Sequence, residues 1–525
     1  MKEKILAGNT VLGIEFGSTR IKAVLIDRDY NTVASGNFEW ENKLEDGIWT
    51  YHLEDAWRGA QASYAALAKN VQDLYGVTLT KVGAIGISGM MHGYLAFDEN
   101  DTLLAPFRTW RNNNTPEASK ELTALFQYNI PLRWSVAHLY QSVLEKLEHV
   151  SQISYMTTLA GYIHWKLTGK KVLGVGDASG MFPVDPETKT YDAGMVEKFD
   201  GLMKEKGYSF KLNEVFPEVL VAGQEAGCLT EEGAKLLDPT GNLRAGIVMA
   251  PPEGDVGTGM VATNTIARNT GNVSAGTSMF AIMILDKPLI KVYPEIDLCT
   301  SPEGYLVANV HVNNGTSELN AWVGLFREVL EKMGVPVTDM NRLYETLYKE
   351  ALNGATDCDG ILSYGYYSGE SITDVPEGRP LVVRRPDSVF SLANFMRSHL
   401  YSSLATLRIG YELLKEEGIQ IHSLLGHGGL FKTEGVGQRF MAAAFDVPVS
   451  VMETAGEGGA CGMALLAAYV LEASKNGLNV FLDKVYADSK KVTLESDPED
   501  VAGFEKFLQT YKAGICMEKD AISVL

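Results

Sequence analysis

The chain has 525 residues, of which 46% are hydrophobic and 21% charged, and its formal net charge is -20. This length exceeds what one hydrophobic core usually supports, so we expect two large domains with a ligand cleft between them. The acidic balance, without any basic run, argues against a nucleic-acid partner, because phosphate backbones are bound mainly by clustered Lys and Arg.

The first predicted element is a β-hairpin from Thr10 to Ile26. It reads as an apolar strand, VLGIE, a glycine turn, FGST, and a return strand, RIKAVLID. The return segment alternates as a strand does, with Ile21, Ala23 and Leu25 on one face. A Rossmann or P-loop site would instead send a helix away from the glycines.

Mixed helix and strand follow the hairpin. A helix is predicted from about Leu53 to Leu74, a strand from Val82 to Ser88, and helical material from about Thr115 to Leu167, which leads into the loop GVGDASGMFPVD. The pattern predicts a first α/β domain over residues 1–260.

A second hairpin pattern, NTGNVSAGTSMFAIMIL, follows an apolar strand near residues 247–249 and the loop PPEGDVGTGM. Its tip at residues 276–278 resembles the first tip at residues 17–19. We therefore expect two related domains, each opening with a phosphate-facing hairpin, with a boundary near 258–265 and a second domain over residues 261–525.

The last third of the chain alternates glycine loops with helices. SLLGHGGLFKTEGVGQRFMAAAF predicts strand, glycine loop and helix, and METAGEGGACGMALLAAYVL predicts a glycine loop that opens a small-residue helix. A terminal amphipathic helix is expected from about Pro498 to Lys519, and packing of this helix on the first domain is one option.

The amino terminus and the cysteines bear on the compartment. ILAGNTVLGIEFG lacks the apolar core and cleavage site of a signal peptide, and no segment reaches the length of a membrane span. The five cysteines are scattered without a C-x-x-C pair, so neither a disulfide framework nor a zinc site is indicated. We expect a cytoplasmic protein without a membrane partner.

Two acidic positions beside glycines are candidates for phosphoryl-transfer chemistry. Gly17, Ser18 and Thr19 offer backbone N–H groups and hydroxyls to anionic oxygens, and Glu15 could hold Mg²⁺ through water. Asp255, between an apolar strand and a glycine loop, could accept the proton of an attacking hydroxyl and help to orient Mg²⁺. Taken singly, each piece is more often an ordinary turn.

Two glycine loops could accommodate a nucleoside. The loops at residues 426–429 and 456–462 would let adenine and ribose lie against backbone, with Gln438 on the helix between them. Helix caps and close helix packing explain either loop equally well.

Three further loops offer groups to a polyol. Met91 and His92 on one loop, and Trp110 and Asn112 on another, provide donors and acceptors beside an aromatic face. Asp177, in GDASG, could meet a sugar hydroxyl, although an Asx turn is at least as good an explanation.

In this order and spacing, the pieces resemble the FGGY carbohydrate kinases over nearly the whole chain, from GIEFGSTRIKA to GEGGACGMALLAA. Within that family the chain is most similar to the pentulose kinases, xylulokinase among them, through MHG at residues 91–93 and GDASGMFPVD. The segment YYSGES at residues 366–371 is also typical of the family. The resemblance implies two actin-like (ribonuclease H-like) domains, ATP and Mg²⁺ as cofactors, and a small ketose as substrate.

The resemblance also implies roles for single residues. Asp255 is expected to be the catalytic base, and Glu15 with Asp255 the metal site. The cofactor-binding set is Gly17, Ser18, Thr19, Gly276, Thr277, Gly428, Gly429 and Gln438. The substrate-binding set is Met91, His92, Trp110, Asn112, Asp177 and Asp255.

Two positions depart from the family pattern. Glu15 stands where the family usually has Asp. Asn112, in Trp-Arg-Asn, stands where xylulokinases usually have the Asp of Trp-Asn-Asp. Because an amide donates as well as accepts hydrogen bonds, L-ribulose rivals D-xylulose as the substrate.

Other functions stay open on the sequence alone. An actin-like or chaperone-like ATPase that switches a protein partner would share the hairpins but would not need His92 and Trp110. A catalytically silent sugar-binding protein is opposed by Asp255. The chain has no G-x-G-x-x-G after a strand and no Walker A sequence, which argues against a Rossmann oxidoreductase. A homodimer is also open, because the sequence does not fix the oligomeric state.

Overall fold

A computed structural model describes residues 1–452, 458–473 and 476–525. The contacts between Cα atoms group the chain into two compact units. Unit 1 comprises Met1–Ile266, Leu298–Val307 and Gly456–Asp488, and unit 2 comprises Ala267–Asp297, Ala308–Ala455 and Ser489–Leu525. The units are therefore discontinuous in sequence, unlike the two consecutive domains that the sequence predicts.

Strands and helices are interspersed along the chain. The strands are β1 (Thr10–Phe16), β2 (Arg20–Asp27), β3 (Thr32–Glu39), β4 (Lys43–Glu45), β5 (Ile48–Thr50), β6 (Ala84–Gly89), β7 (Leu95–Phe97), β8 (Tyr155–Thr157), β9 (Val172–Gly174), β10 (Val184–Asp185), β11 (Thr190–Tyr191), β12 (Glu218–Leu220), β13 (Val248–Met249), β14 (Glu253–Gly254), β15 (Thr270–Ala275), β16 (Met279–Ile284), β17 (Ile296–Thr300), β18 (Leu306–Val312), β19 (Ile361–Tyr364), β20 (Leu381–Arg384), β21 (Ser423–Gly428), β22 (Val449–Met452) and β23 (Lys491–Leu494). The α-helices are α1 (Lys2–Leu6), α2 (Leu53–Tyr75), α3 (Pro116–Phe126), α4 (Ser135–Leu144), α5 (Leu159–Thr168), α6 (Val175–Ala178), α7 (Ala193–Glu205), α8 (Leu212–Val215), α9 (Glu231–Leu237), α10 (Asp255–Ala262), α11 (Ser317–Lys332), α12 (Met340–Glu350), α13 (Leu392–Glu416), α14 (Val436–Phe445), α15 (Gly458–Val470), α16 (Leu478–Val485) and α17 (Pro498–Val524). Short 3₁₀ segments lie at Glu148–Gln152, Ala351–Asn353, Cys358–Gly360, Ser371–Thr373 and Gly429–Phe431.

The main sheet of unit 1 has the strand order β13-β6-β1-β2-β3, and β14 also pairs with β6. Strands β1 and β2 form the predicted antiparallel hairpin. On the other side of β1 lies β6, which runs parallel to it. The first hairpin prediction is thereby confirmed.

Helix α15 explains why a late segment of the chain belongs to unit 1. It packs on β1 and β6 and against α10. A Cβ added to Gly13 on β1 would lie 2.2 Å from the carbonyl oxygen of Ala460 on α15, so a side chain there would push the helix away. Contact between stretches so far apart in the sequence depends on the three-dimensional fold, which the order of motifs along the chain does not reveal.

Unit 2 repeats the arrangement of the first hairpin. A seven-stranded sheet has the order β17-β18-β16-β15-β21-β22-β23, and its strands β16, β15, β21, β22 and β23 lie wholly in unit 2. Strands β15 and β16 form the second predicted hairpin, and β21 runs parallel to β15 on its other side. In each unit a hairpin's first strand thus has a parallel neighbour, as expected for two related domains.

The terminal helix α17 packs within unit 2, where it contacts α13, α14 and β19. Its buried Asp500 forms ion pairs with Arg397 and Arg439. Asp497 caps the helix by accepting the N–H groups of Glu499 and Asp500. These contacts hold the helix to unit 2 rather than to the first domain, which the sequence had left as an option.

The long helical stretch predicted over residues 115–167 is in fact broken. It contains α3, α4 and α5, with β8 between α4 and α5. Pro131 lies between α3 and α4, and a residue before proline avoids the α conformation. Strand β8 pairs with β7, which takes its residues out of any helix. Among the helices of the described residues, none combines the length and apolar character that a membrane crossing requires.

Candidate active site

Three strands of unit 1 end at one edge of the sheet and bring polar side chains into a row. Because β1, β6 and β14 are parallel, Glu15 lies opposite Ser88, and Ser88 lies opposite Glu253. Asp255 follows β14 directly as the first residue of α10. Carboxyl ends of parallel strands are where open α/β sheets bind ligands.

Glu15 is half-buried at this edge. Its Oε2 accepts a hydrogen bond from the Ala460 N–H at 3.0 Å. Burial raises the pKa of Glu15 and the charge of Asp255 raises it further, while the Ala460 N–H and Lys22 oppose the shift. The two carboxylates are therefore close enough for their charges to interact.

This carboxylate pair fits a magnesium ion better than a structural metal. No group of three or more His, Cys, Asp or Glu side chains in the described residues could hold a metal ion alone. Mg²⁺ is typically held by one or two carboxylates together with water and substrate phosphates. Glu15 and Asp255 provide such a pair, and a cation would relieve their mutual repulsion.

Asp255 is joined to the loop that bears Met91. Its Oδ1 accepts the N–H of Met91 at 3.3 Å and the N–H of Val256 at 3.1 Å. Burial raises the pKa of Asp255, and these N–H groups and the charge of Arg133 oppose that shift. Arg133 is a cation at the site that sequence reasoning missed, because it belongs to none of the motifs.

Two further buried acids, Asp177 and Glu253, lie near Asp255. Asp177 is completely buried, its Oδ2 accepts the hydroxyl of Thr158 at 2.6 Å, and its Oδ1 has no hydrogen-bond partner among the described residues. Burial raises the pKa of Asp177 well above its usual range, and the charges of Glu253 and Asp255 add to the shift. The Asp177 side chain is thus enclosed within the fold, and its contact with a sugar hydroxyl stays a prediction.

Glu253 is a buried acid that the sequence analysis did not single out. Its Oε1 accepts the N–H of Gly254 at 3.0 Å, and burial raises its pKa to about 7. The N–H groups of Gly176 and Asp177 oppose that shift, so the carboxylate also faces the Asp177 loop. Its only sequence signal is the pair of acids that flanks Gly254 in PPEGD.

His92 presents one ring nitrogen for binding. Its Nδ1 lies 3.1 Å from the carbonyl oxygen of Gly180, and the ring stacks on Trp134 at 6.3 Å between centroids. Burial and the charge of Arg133 lower the pKa of His92 to about 3, so the ring is neutral. A carbonyl only accepts, so Nδ1 carries the hydrogen and Nε2 is left as an acceptor.

Trp110 and Asn112 differ in exposure and in hydrogen bonding. A bridge between Tyr94 and Arg108 joins their loop to the His92 loop. Trp110 is 40% exposed. Asn112 is buried, and its Nδ2 donates to the carbonyl oxygens of Trp49 and Thr109 at 2.8 and 3.0 Å. Both amide hydrogens are thus used to hold the backbone, which gives Asn112 a structural role in place of the predicted sugar contact.

The tip of the first hairpin turns its carbonyl groups inward. The carbonyl oxygen of Gly17 accepts from Trp40 Nε1 at 2.7 Å, that of Ser18 from the Tyr51 hydroxyl at 2.6 Å, and that of Thr19 from the Trp40 N–H at 3.1 Å. Ser18 and Thr19 are exposed. With its acceptors occupied, the tip offers mainly donors to a ligand, as a phosphate requires.

At the second hairpin tip, in unit 2, the carbonyl oxygens also accept hydrogen bonds, but from other donors. The carbonyl oxygen of Gly276 accepts from the N–H and the hydroxyl of Thr316, both at 3.0 Å. That of Thr277 accepts from the Gly315 N–H at 2.8 Å. The acceptors of this tip are thus occupied as well, and phosphate binding by Gly276 and Thr277 stays a prediction.

Gly428 and Gly429 lie beside the second tip. Strand β21 pairs with β15, and Gly428 lies opposite Ala275, the residue before the tip. Gly428 has a φ of 98°, and a Cβ added to it would lie 2.4 Å from the carbonyl oxygen of Ala275. Both glycines are exposed, so the structure brings the second tip and this glycine loop to one surface of unit 2.

Gln438 does not share that surface. It is buried on α14, and its Nε2 donates to the carbonyl oxygens of Val449 and Val492 at 3.2 and 2.9 Å. Its amide hydrogens thus hold β22 and β23, in place of the predicted nucleoside contact. Of the glycine loop predicted at 456–462, residues 456 and 457 lie outside the described residues, and the rest begins α15.

Comparison with known proteins shows which family this arrangement belongs to. The N-terminal domain of the FGGY family of carbohydrate kinases matches residues 10–242, and its C-terminal domain matches residues 271–471. The xylulose kinase of Haemophilus influenzae is 24% identical over 438 residues, which cover 80% of this chain and 82% of that protein.

Solved structures show the same fold. The xylulose kinase from Rhodospirillum rubrum matches with a TM-score of 0.77 at 18% identity, covering 97% of this chain and 98% of that chain. The gluconate kinase from Lactobacillus acidophilus matches with a TM-score of 0.76 at 18% identity, covering 98% of each chain. The predicted fold, two actin-like domains of mixed helix and strand, is confirmed, but kinases named for different acceptors match it equally well.

Proposed function

The chain belongs to the FGGY family of carbohydrate kinases and is an ATP-dependent sugar kinase, and from this premise we propose that its acceptor is a small ketose, most simply a pentulose such as D-xylulose. The observation that carries the proposal is the hydrogen bond from the Met91 N–H to Asp255 Oδ1 at 3.3 Å. It joins the proposed base to the loop that bears His92, so a polyol held by that loop lies next to Asp255.

In the proposed reaction, Asp255 removes the proton from one hydroxyl of the ketose. The oxygen of that hydroxyl bonds to the terminal phosphorus of ATP, and the bond from that phosphorus to the bridging oxygen breaks, so that ADP leaves with the electron pair. His92 Nε2 accepts a hydrogen bond from a second hydroxyl and so orients the sugar. Trp110, exposed on the neighbouring loop, offers a ring face to the sugar carbons.

The chain's own groups then hold the phosphates. We propose that the donors of the first tip, Ser18 and Thr19, and those of Thr277 at the second tip bind phosphate oxygens, and that Gly428 and Gly429 let the nucleoside approach the backbone. The N–H of Gly276 donates to the Ser278 carbonyl oxygen at 3.0 Å, so we propose that Gly276 contributes close backbone approach rather than a donor. Mg²⁺ held by Glu15 and Asp255 would neutralise charge on the transferred group. The scattered cysteines and the need for ATP support a cytoplasmic location.

The configuration of the ketose is open to experiment. Because both amide hydrogens of Asn112 hold backbone carbonyls, Asn112 gives no reason to prefer L-ribulose over D-xylulose. Both sugars therefore belong in one panel with D-ribulose and D-fructose, scored by kcat/KM for ketose-dependent ADP release. A pentulose preference of tenfold or more, roughly 1.4 kcal/mol, would support the proposal.

Two results would contradict it. If D-fructose or a polyol without a keto group is the best acceptor, the pentulose assignment fails while the kinase stands. If ADP release is the same with and without every sugar, the chain hydrolyses ATP for another purpose, as an actin-like or chaperone-like ATPase would.

A further inference from the structure

A buried carboxylate in unit 2 contacts the loop that holds the second hairpin tip. Glu370 is only 1% exposed. Its Oε2 accepts the backbone N–H of Asn313 at 2.9 Å and the side-chain Nδ2 of Asn314 at 3.3 Å. The segment around Glu370 carries no part of the proposed reaction, so these contacts need another explanation.

Asn314 forms further hydrogen bonds between the same two segments. Its Oδ1 accepts the N–H groups of Tyr367 and Ser368 at 2.9 and 3.1 Å, and its Nδ2 also donates to the Ser368 carbonyl oxygen at 3.1 Å. Asn313 adds a bond from its Nδ2 to the carbonyl oxygen of Gly369 at 2.8 Å. The start of the 313–316 loop is thus fixed to residues 367–370 on several sides.

The end of the 313–316 loop is what holds the hairpin tip. The N–H of Gly315 donates to the Thr277 carbonyl oxygen at 2.8 Å, and the N–H and hydroxyl of Thr316 donate to that of Gly276 at 3.0 Å. A shift at the start of so short a loop must move its end, because only two peptide bonds separate Asn314 from Thr316.

We propose that Glu370 is a positioning residue for nucleotide binding: by fixing the 313–316 loop, it keeps the carbonyl groups of Gly276 and Thr277 turned away from the phosphates of ATP. This inference rests on the proposed function of the second tip. A free carbonyl at the tip would present a partial negative charge to the phosphates, so the loss of Glu370 should weaken ATP binding without touching the sugar.

The role depends on reach and hydrogen-bond acceptance rather than on charge. Burial raises the pKa of Glu370 to about 7, so both protonation forms are populated near neutral pH, and both have an oxygen that can accept. Glu370→Gln keeps an acceptor at the position of Oε2, whereas Glu370→Asp keeps the charge but is one methylene short. We expect the KM for ATP to rise about tenfold in E370D and to stay within about threefold in E370Q, with the sugar KM unchanged in both.

Glu518 offers a matched control in the same unit. It is also fully buried, its Oε1 accepts the Arg379 N–H at 2.5 Å, and its Oε2 has no partner among the described residues. E518D should therefore lower the melting temperature as E370D does while leaving the KM for ATP unchanged. If E518D raises that KM as much as E370D does, the effect is general destabilisation and the inference fails.

Two further variants separate this inference from the function on which it rests. Thr277→Ala removes a hydroxyl from the tip itself. If T277A raises the KM for ATP and E370D does not, the positioning role of Glu370 is wrong. If neither raises it, the tip does not bind ATP and both proposals fall. If E370D does not fold, Thr316→Val carries the test, because it deletes one bond to Gly276, and an unchanged KM for ATP in T316V would overturn the inference.

Discussion

The indole Nε1 of Trp40 donates a hydrogen bond to the carbonyl oxygen of Gly17 at 2.7 Å, and so occupies an acceptor at the tip of the first hairpin. The ring also stacks on Tyr51, with centroids 4.2 Å apart, and Tyr51 occupies the next carbonyl, that of Ser18. Two aromatic side chains therefore occupy the carbonyl oxygens of the tip in unit 1. In unit 2 the backbone and hydroxyl of a short loop occupy them.

Trp40→Phe should weaken ATP binding selectively. Phenylalanine keeps most of the ring packing but has no donor, so the Gly17 carbonyl is freed toward the ligand. We expect the KM for ATP to rise roughly three- to tenfold and the protein to lose about 1 kcal/mol of stability, with the sugar KM unchanged. Steady-state kinetics and a denaturant titration measure both effects.

Trp57→Phe is the control for this variant. Trp57 lies in the same unit, and its Nε1 donates to the Tyr162 hydroxyl at 3.2 Å. W57F loses a comparable hydrogen bond away from the tip, so its KM for ATP should not change. Equal KM values in W40F and W57F would show that the Gly17 carbonyl has no bearing on ATP.

Asp255→Asn should abolish most turnover without preventing binding. The amide cannot take the proton of the attacking hydroxyl, and loss of a general base typically lowers kcat by about 10²- to 10⁴-fold. Calorimetric titration should still show ATP and sugar binding. Asp185→Asn, in a separate two-stranded hairpin of unit 1, should keep wild-type turnover. A D255N enzyme with near wild-type kcat would remove Asp255 from its role.

Asp255 also determines the direction in which the reaction rate changes with pH. Asp255 acts as a base only when ionised, and burial raises its pKa. The wild-type rate should therefore fall as the pH falls, and it should do so at a higher pH than an exposed aspartate would produce.

The sequence was sufficient to predict both hairpins, because glycine at a tip between alternating apolar residues is a local pattern. The position of Asp255 after a strand was predictable for the same reason, since a strand end and a glycine loop stand beside it in the sequence, while its role as the base stays a prediction. Glu253 and Arg133 were not predicted, because their effect depends on burial and on contacts made across the fold.

Asn112 and Gln438 show what the sequence motifs could not predict. Their spacing in the motifs predicted ligand contacts, yet both amides are buried and hold backbone carbonyls. A sequence gives the identity of a polar side chain but not the direction in which the fold turns it. The grouping of residues 456–488 with unit 1 was missed for a similar reason, because it depends on the close approach of α15 to β1.

Glu15→Gln should reduce the response to Mg²⁺ more than the affinity for sugar. The variant keeps an oxygen for the Ala460 N–H but loses the charge that attracts the cation. We expect about tenfold more Mg²⁺ to be needed for half-maximal activity, an effect of roughly 1.4 kcal/mol. A magnesium titration at saturating ATP and sugar measures this, with wild-type protein in EDTA as the zero point. An unchanged titration curve would exclude Glu15 from metal binding.

Gly428→Ala and Gly429→Ala form a matched pair. A Cβ added to Gly428 would lie 2.4 Å from the Ala275 carbonyl oxygen, and the φ of Gly428 is 98°. A Cβ added to Gly429 would lie 3.8 Å from the same oxygen, which is its nearest atom. G428A should lose about 1–3 kcal/mol of stability and bind ATP more weakly, because Ala275 precedes the second tip. G429A should stay within about 0.5 kcal/mol of wild type. Equal melting temperatures for the two variants would contradict this account of the loop.

Glu370→Gln should change how stability depends on pH. Burial raises the pKa of Glu370 from 4.5 to about 7, so the native state favours the protonated carboxyl. The stabilisation that this provides is complete below pH 4.5 and is lost as the pH rises through 7. At about 1.4 kcal/mol per pH unit, the total is on the order of 3 kcal/mol.

The glutamine variant has no such titration. The free energy of unfolding of wild type minus that of E370Q should therefore fall by about 3 kcal/mol between acid and mildly basic pH and be level outside that interval. Urea titrations at several pH values measure the difference, in which the other buried acids cancel because both proteins contain them. A level difference for E370Q would mean that the pKa of Glu370 is not raised in the folded protein.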